Sequence, residues 1–185
     1  MLERVLTNSS VLEGKTAQRI FLSFFFLFAT FLGAYVFLPL PFTPVPITLQ
    51  TFFVLTGAAW LGRGWSTGVQ ATYLGLGASG ALVFAGGAGG LGILLGPTAG
   101  YLWAFLPVSL FLGRYFERHP ERGVAANLLA FALADAFILI AGTAWLGLLL
   151  HLHPFEALLM GAVPFLPGEA VKVVLATLAS PRSNG

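Results

Sequence analysis

Residues 83–101 read VFAGGAGGLGILLGPTAGY, seven glycines in nineteen positions, set between two segments apolar enough to lie in a lipid bilayer. A helix interior does not carry that many glycines, since each costs about 1 kcal/mol relative to alanine through the backbone freedom lost on ordering. The stretch is therefore expected to be a structured loop that bends sharply and brings bare main-chain groups close to something small. A merely flexible linker would be Gly/Ser-rich and wet, whereas this one is interleaved with Val83, Phe84, Leu91, Ile93, Leu94 and Leu95, and no charge occurs from residue 65 to residue 113. Irregular backbone at membrane depth is tolerated where protein or a polar cavity satisfies it. The loop is expected to cap a cavity and hold a ligand through main-chain groups.

Composition sets the class. The chain is 57% hydrophobic and 9% charged, with a mean hydropathy of +0.89, against roughly 25% charged residues in an ordinary soluble domain. This is the composition of a polytopic membrane protein. Six spans of about 20 residues each would consume most of the chain, so residues 1–185 are read as one all-α membrane domain with the glycine-rich loop between spans three and four. The absence of cysteine removes any disulfide framework or thiol-based metal or redox site, and no metal centre or cofactor is expected. A sequence pI near 9.3 is explained by basic residues at membrane edges rather than by a nucleic-acid-binding stripe.

Taken in order, residues 1–19 hold Arg4, Lys15 and Arg19 and read as a polar cytoplasmic lead. Residues 20–38 give a first span with no charge and seven phenylalanines. The segment PLPFTPVP, residues 39–46, must leave helical geometry at its four prolines and reads as a stiff outer loop. Spans two (about 47–61) and three (65–77) flank a turn at Gly62-Arg63-Gly64. Both are short, which predicts a depression at their outer ends. Span four runs from about 99 to 115, span five from 123 to about 148, and span six from about 155 to 179. Eight of the nine basic residues then fall on one face, together with both chain ends, while the opposite loops carry only Glu156 and two histidines. The positive-inside rule makes the basic face cytoplasmic and turns the glycine loop outward. There is no long internal repeat of the kind that marks inverted-repeat transporters.

Ionisable residues inside a bilayer are costly unless paired or facing a cavity, and are functional candidates by default. Three occur: Asp135 in span five, and Glu169 and Lys172 three residues apart on one face of span six. Pro164 and Pro167 predict a kink just ahead of that pair. At about 1.5 Å per residue from Arg182, Lys172 stands roughly 15 Å and Glu169 roughly 20 Å above the cytoplasmic edge, under the glycine loop. The pair can serve a ligand or merely neutralise itself, and Asp135 also reads as a protonated or hydrogen-bonded acid facing another helix. Two further motifs fail on context. Gly87 to Gly92 matches GxGxxG without a βαβ unit around it. Gly77-Ala78-Ser79-Gly80 matches the GxSG of rhomboid-type proteases, but the three histidines, His119, His151 and His153, all fall in loops, where none can act as the base.

The blocks PFTPVPITLQTFFVL (41–55), VFAGGAGGLGILLGPTAGY (83–101) and PFLPGEAVK (164–172), with GTAWL (142–146) closing span five, together resemble the biotin-specific S components (BioY family) of energy-coupling factor transporters. The resemblance extends over nearly the whole chain after the lead. It implies a subunit of a prokaryotic plasma membrane that captures biotin from outside, with a transmembrane coupling subunit (T component) and a pair of cytoplasmic ATPases as partners, the ATP being used by those partners. An ion-coupled or solitary transporter is the alternative. By block position the implied biotin-binding residues are Thr48, Gln50, Tyr73, Phe84, Ala85, Gly86, Gly87, Gly89, Gly90, Tyr101, Glu169 and Lys172. Glu169 would accept from the ureido N–H groups, and Lys172 would compensate Glu169 or meet a ligand oxygen. Ala29 and Gly33, a small-xxx-small pair on span one, are the implied coupling face, with packing inside the bundle as the alternative. Three positions depart from the family pattern: Glu169 replaces the usual aspartate, Ala88 a frequent Ser or Thr, and Leu82 a common proline. Loss of a hydroxyl at residue 88 shifts hydrogen bonding there to backbone N–H groups.

Overall fold

The computed structural model describes residues 2–181, with side chains from Gly14 onward; the expectations placed on the Arg4 side chain and on Arg182 fall outside the described residues. The chain is a bundle of helices with a small hairpin at one end. Helix α1 (Leu2–Tyr35) leads into strands β1 (Phe37–Leu40) and β2 (Thr43–Thr48), followed by α2 (Gln50–Ala78), α3 (Ala99–Arg118), α4 (Val124–Leu150), α5 (Pro154–Gly161) and α6 (Leu166–Ala179).

Six passages of the bundle are recovered because α2 is broken into two arms while α5 and α6 together make one bent passage. In α2 the break is Gly62, at φ 75° and ψ 177°, a backbone state that L side chains rarely adopt. A Cβ there would also sit 2.3 Å from the Glu117 carboxylate. The chain reverses at this point: Gln50 and Tyr73, 23 residues apart, are hydrogen-bonded at 2.6 Å, whereas a straight helix would separate them by about 34 Å. The turn is seated on α3, where Gly113 admits the Gly62–Arg63 backbone, and is closed within α2 by Ser66 Oγ, which donates to the Gly62 carbonyl at 2.6 Å. The two arms, 50–61 and 63–78, rise only about 18 and 24 Å, less than the roughly 30 Å of a bilayer core. The second break separates α5 from α6, which are bent by 54°; Pro167 occupies the first turn of α6, where its missing N–H costs nothing. By length and apolarity, 14–35 and α4 suit full spans, as does the bent α5–α6 pair.

One expectation is corrected and two are refined. The stiff outer connection at residues 39–46 is part of a small β-hairpin: β1 and β2 pair antiparallel, Phe37 with Thr48, Leu38 with Ile47 and Leu40 with Thr43. Pro44 and Pro46 are two apart, so both missing N–H groups fall on one edge of β2 and leave the other free to pair. The polar lead is helical over residues 2–19, where α1 runs unbroken into the first span. The Ala29/Gly33 face is turned inward. Ala29 is buried, and a Cβ at Gly33 would meet Phe53 and the Leu49–Gln50 backbone at 3.0–3.1 Å. Small residues let α1 approach α2 within the chain, and the exposed face of α1 is instead the phenylalanine side, Phe21, Phe24, Phe25 and Phe28. Ala29→Trp is therefore expected to lower thermal stability by about 1–3 kcal/mol through overpacking, measurable in detergent by an unfolding assay before any partner is added.

Candidate functional site

At the hairpin end of the bundle the glycine loop is folded back onto α2. The Phe84 ring seats on Gly77, which has no room for a Cβ, and meets Tyr73 edge-on at 5.6 Å. The Gly90 N–H donates to the Gly77 carbonyl at 2.7 Å, the Phe84 N–H to Ala88 O at 2.9 Å, and the Gly87 N–H to Phe84 O at 3.0 Å. Gly86, Gly87 and Gly90 have positive φ, and Gly89 passes too close to the Ala81 carbonyl for a side chain. Tyr35, at the end of α1, ties the loop down by donating to Leu82 O at 2.7 Å. Glycine is thus used here to make the fold-back.

Beneath the loop lies a cavity of about 270 Å³. Its walls are mostly apolar: Val45, Pro44 and Pro46 of the hairpin, Phe84 and Ile93 of the loop, Leu102 and Phe105 of α3, Ile138 and Leu139 of α4, and Phe165 at the α5–α6 break. The polar groups on it are Thr48, Gln50, Thr51, Thr98, Tyr101 and Glu169. Apolar walls with a few fixed polar groups are the usual build of a small-molecule site.

Gln50, Thr51, Tyr101 and Glu169 are each held by hydrogen bonds. Lys172 Nζ donates to Glu169 Oε1 at 2.6 Å, to the Thr48 carbonyl at 2.5 Å and to Thr51 Oγ1 at 3.0 Å. Those bonds use all three ammonium protons. Thr51, having accepted from Lys172, donates to Glu169 Oε2 at 2.8 Å. Each carboxylate oxygen keeps a further lone pair, so Glu169 enters the cavity as a fixed anion with acceptor capacity left. On the opposite side the Tyr73 hydroxyl donates to Val83 O at 2.6 Å and so accepts from the Gln50 amide nitrogen, also at 2.6 Å. That fixes the Gln50 amide and leaves its carbonyl oxygen as a second acceptor. Tyr101 donates to Gly161 O at 2.6 Å, its ring packed where Gly142 and Gly161 lack side chains.

Of the residues expected from sequence, Thr48, Gln50, Phe84, Ala85, Tyr101 and Glu169 line this cavity. Six do not. Tyr73 stands behind Gln50, and Lys172 stands behind Glu169 and Thr51, its three bonds all made to protein oxygens. Gly86, Gly87, Gly89 and Gly90 shape the loop, and the loop N–H groups of Phe84, Gly87 and Gly90 are already spent within the protein. Thr51 was missed, although its position one residue after Gln50 marks the same helix start; Thr98, Ile138, Leu139 and Phe165 were missed as ordinary apolar-span or loop residues.

The sequence profile of the BioY family matches residues 6–184. The chain belongs to the BioY family. Among its curated relatives are the biotin transporter BioY of Thermotoga maritima, 36% identical over 160 residues that cover 81% of this chain and 86% of the relative, and the biotin transporter BioY of Rhodobacter capsulatus, 39% identical over 74% of this chain and 77% of the relative. The crystal structure of the S-component for biotin from an ECF-type ABC transporter superposes with a TM-score of 0.82 over 89% of both chains at 24% identity. At that identity the likeness shows a shared fold. BioY membership makes the chain a membrane transport component and not an enzyme, which disposes of the GxSG reading; Ser79 is exposed, and its hydroxyl donates to Leu76 O of its own helix.

Proposed function

We propose that this protein is a biotin-binding S component that captures biotin in the cavity under the glycine loop, with the ureido head on Glu169 and Gln50. The observation that carries this reading is the matched pair of fixed acceptors: a carboxylate held from behind by Lys172 and Thr51, and an amide oxygen oriented through Tyr73. A ureido group offers two N–H donors, and its compact fused bicycle suits apolar walls such as Phe84, Leu102 and Ile138. Uptake then requires a coupling subunit and ATPases as partners. Reconstituted alone, the protein is expected to bind biotin in proteoliposomes without accumulating it, and accumulation should need both the coupling module and ATP. Accumulation by the chain alone would favour the solitary transporter.

The cavity is assigned to the outer end of the bundle on charge. Lys15, Arg19, Arg63, Arg114, Arg118 and Arg122 lie toward the other end, which positive-inside topology makes cytoplasmic. In this cysteine-free chain, single cysteines at Ala88 and Gly123 are expected to react with an impermeant maleimide from opposite sides of the membrane. Labelling of both from outside contradicts this orientation.

A further inference from the structure

Away from the site described above, a groove of about 380 Å³ runs down the outer surface between α3 and α4. On α4 its floor is Ala126, Ala130 and Ala134, one turn apart, and its rims are the exposed side chains Phe111 of α3 and Leu129, Leu133 and Phe137 of α4. From Ala126, near the start of α4, to Phe137 is about 16 Å along the helix, against about 15 Å for half of a bilayer's hydrocarbon core. The groove therefore has the depth of one leaflet. Its mouth lies at the arginine-bearing end of the bundle, where the Tyr115 hydroxyl meets Ala126 O at 3.5 Å.

Two guanidinium groups stand at that mouth without a protein partner. Arg114 and Arg118 lie three and seven residues after Phe111, and so on its side of α3, and neither makes an ion pair or hydrogen bond among the described residues. The neighbouring carboxylate of Glu117 is turned to Arg63, accepting from its backbone N–H at 3.0 Å with Nε at 3.7 Å. Arg122 folds back onto the carbonyls of Phe116 and His119, and Glu121 lies beyond the helix, in the turn. The matching occupant is apolar over the depth of one leaflet and anionic at its end. A second transmembrane helix packs best where small residues let backbones meet, whereas these rims hold a backbone off the alanines and admit a single chain. We propose that the groove seats an acyl chain of an anionic phospholipid of the cytoplasmic leaflet, with the lipid phosphate on Arg114 and Arg118. Guanidinium groups pair bidentately with phosphate, and anionic lipids give the cytoplasmic leaflet its negative surface. The choice of leaflet rests on the positive-inside orientation; the binding itself does not.

The test uses the full chain in detergent, without biotin, offered phosphatidylglycerol and phosphatidylethanolamine in equal amounts, with bound lipid counted by native mass spectrometry. Wild type is expected to retain one phosphatidylglycerol, preferred over phosphatidylethanolamine by about tenfold or more, the order expected of two basic residues at an anionic headgroup. Arg114→Gln with Arg118→Gln should bring that preference close to unity. Ala130→Leu, which fills the floor, should lose the retained lipid with both arginines in place. The arginine variant alters side chains that the protein itself does not bond, so it decides the matter should Ala130→Leu fail to fold. No preference in wild type, or a preference untouched by the arginine changes, overturns the proposal. So does a dimer that Ala130→Leu disrupts, which would assign the groove to a second copy of the chain. Detergent carries no sidedness, so cysteine labelling that reversed the orientation would move the lipid to the other leaflet and leave its binding standing.

Discussion

Lys172→Met is expected to lower thermal stability and biotin affinity together, and by more than Glu169→Gln does. Removing the ammonium strands a carboxylate that is 5% exposed, at a cost on the order of 3–5 kcal/mol for a broken buried pair, unless Glu169 takes up a proton and ceases to be an anionic acceptor. The Thr48 carbonyl and Thr51 hydroxyl lose their donor at the same time. Glu169→Gln leaves the opposite imbalance, a buried ammonium, but that ammonium keeps its bonds to the Thr48 carbonyl and Thr51 Oγ1, so the stability loss should be smaller. The double variant separates structural from recognition roles. With both charges gone, stability should largely return, while biotin binding stays poor because Gln presents one acceptor oxygen and an NH₂ group where donors arrive. Near-original affinity in a stable double variant would show that the ion pair only holds the helices together.

Gly77→Ala is expected to be nearly as damaging, though it adds a single methyl group. The new Cβ would lie 2.0 Å from Phe84 Cζ and within 2.7 Å of both Cε atoms, so the ring must leave its seat. Phe84 is 1% exposed, and losing its packing is comparable to truncating a core phenylalanine, about 3–5 kcal/mol. The effect reaches the site because Phe84 is a cavity wall and the Val83 carbonyl next to it orients Tyr73 and hence Gln50. Unfolding in detergent and biotin titration should therefore both report the loss, with Phe84→Leu on the Gly77→Ala background recovering part of the stability. Wild-type behaviour of Gly77→Ala alone would mean that the loop does not depend on this seat.

The breaks in the fold were legible because they are written in residues with distinctive backbone chemistry. Gly62 and the Pro164/Pro167 pair place the reversal in α2 and the bend before α6 within a residue or two of where the structure has them. The same clarity stopped short at residues 39–46: four prolines exclude a helix, but whether they permit a hairpin depends on which edge of each strand is left unpaired, and that is a matter of tertiary placement. The Ala29/Gly33 pair was ambiguous for a related reason. Small residues announce a close helix contact without saying whether the neighbour belongs to this chain or another, and here it is α2. Within the site, Glu169 was conspicuous as a charge in a membrane span. Ile138 and Leu139 were not, since a cavity wall and a lipid-facing surface call for the same side chains. The arrangement of Glu169 and Lys172 also needed coordinates, because only the three bonds from Nζ show that the lysine ties Glu169 to Thr51 and to the Thr48 carbonyl.

The central claim, that the two ureido N–H groups of biotin meet the acceptors Glu169 and Gln50, is tested most directly by calorimetric titration of the purified chain with biotin, dethiobiotin and a ureido-N-methylated biotin. Biotin and dethiobiotin, which share the intact ureido group, should bind saturably at one site. The methylated analogue lacks a donor to a charged acceptor and should bind roughly ten- to a hundredfold more weakly than biotin, the worth of one such hydrogen bond. Equal binding of biotin and its N-methylated analogue, or no saturable binding of biotin at all, would contradict the account.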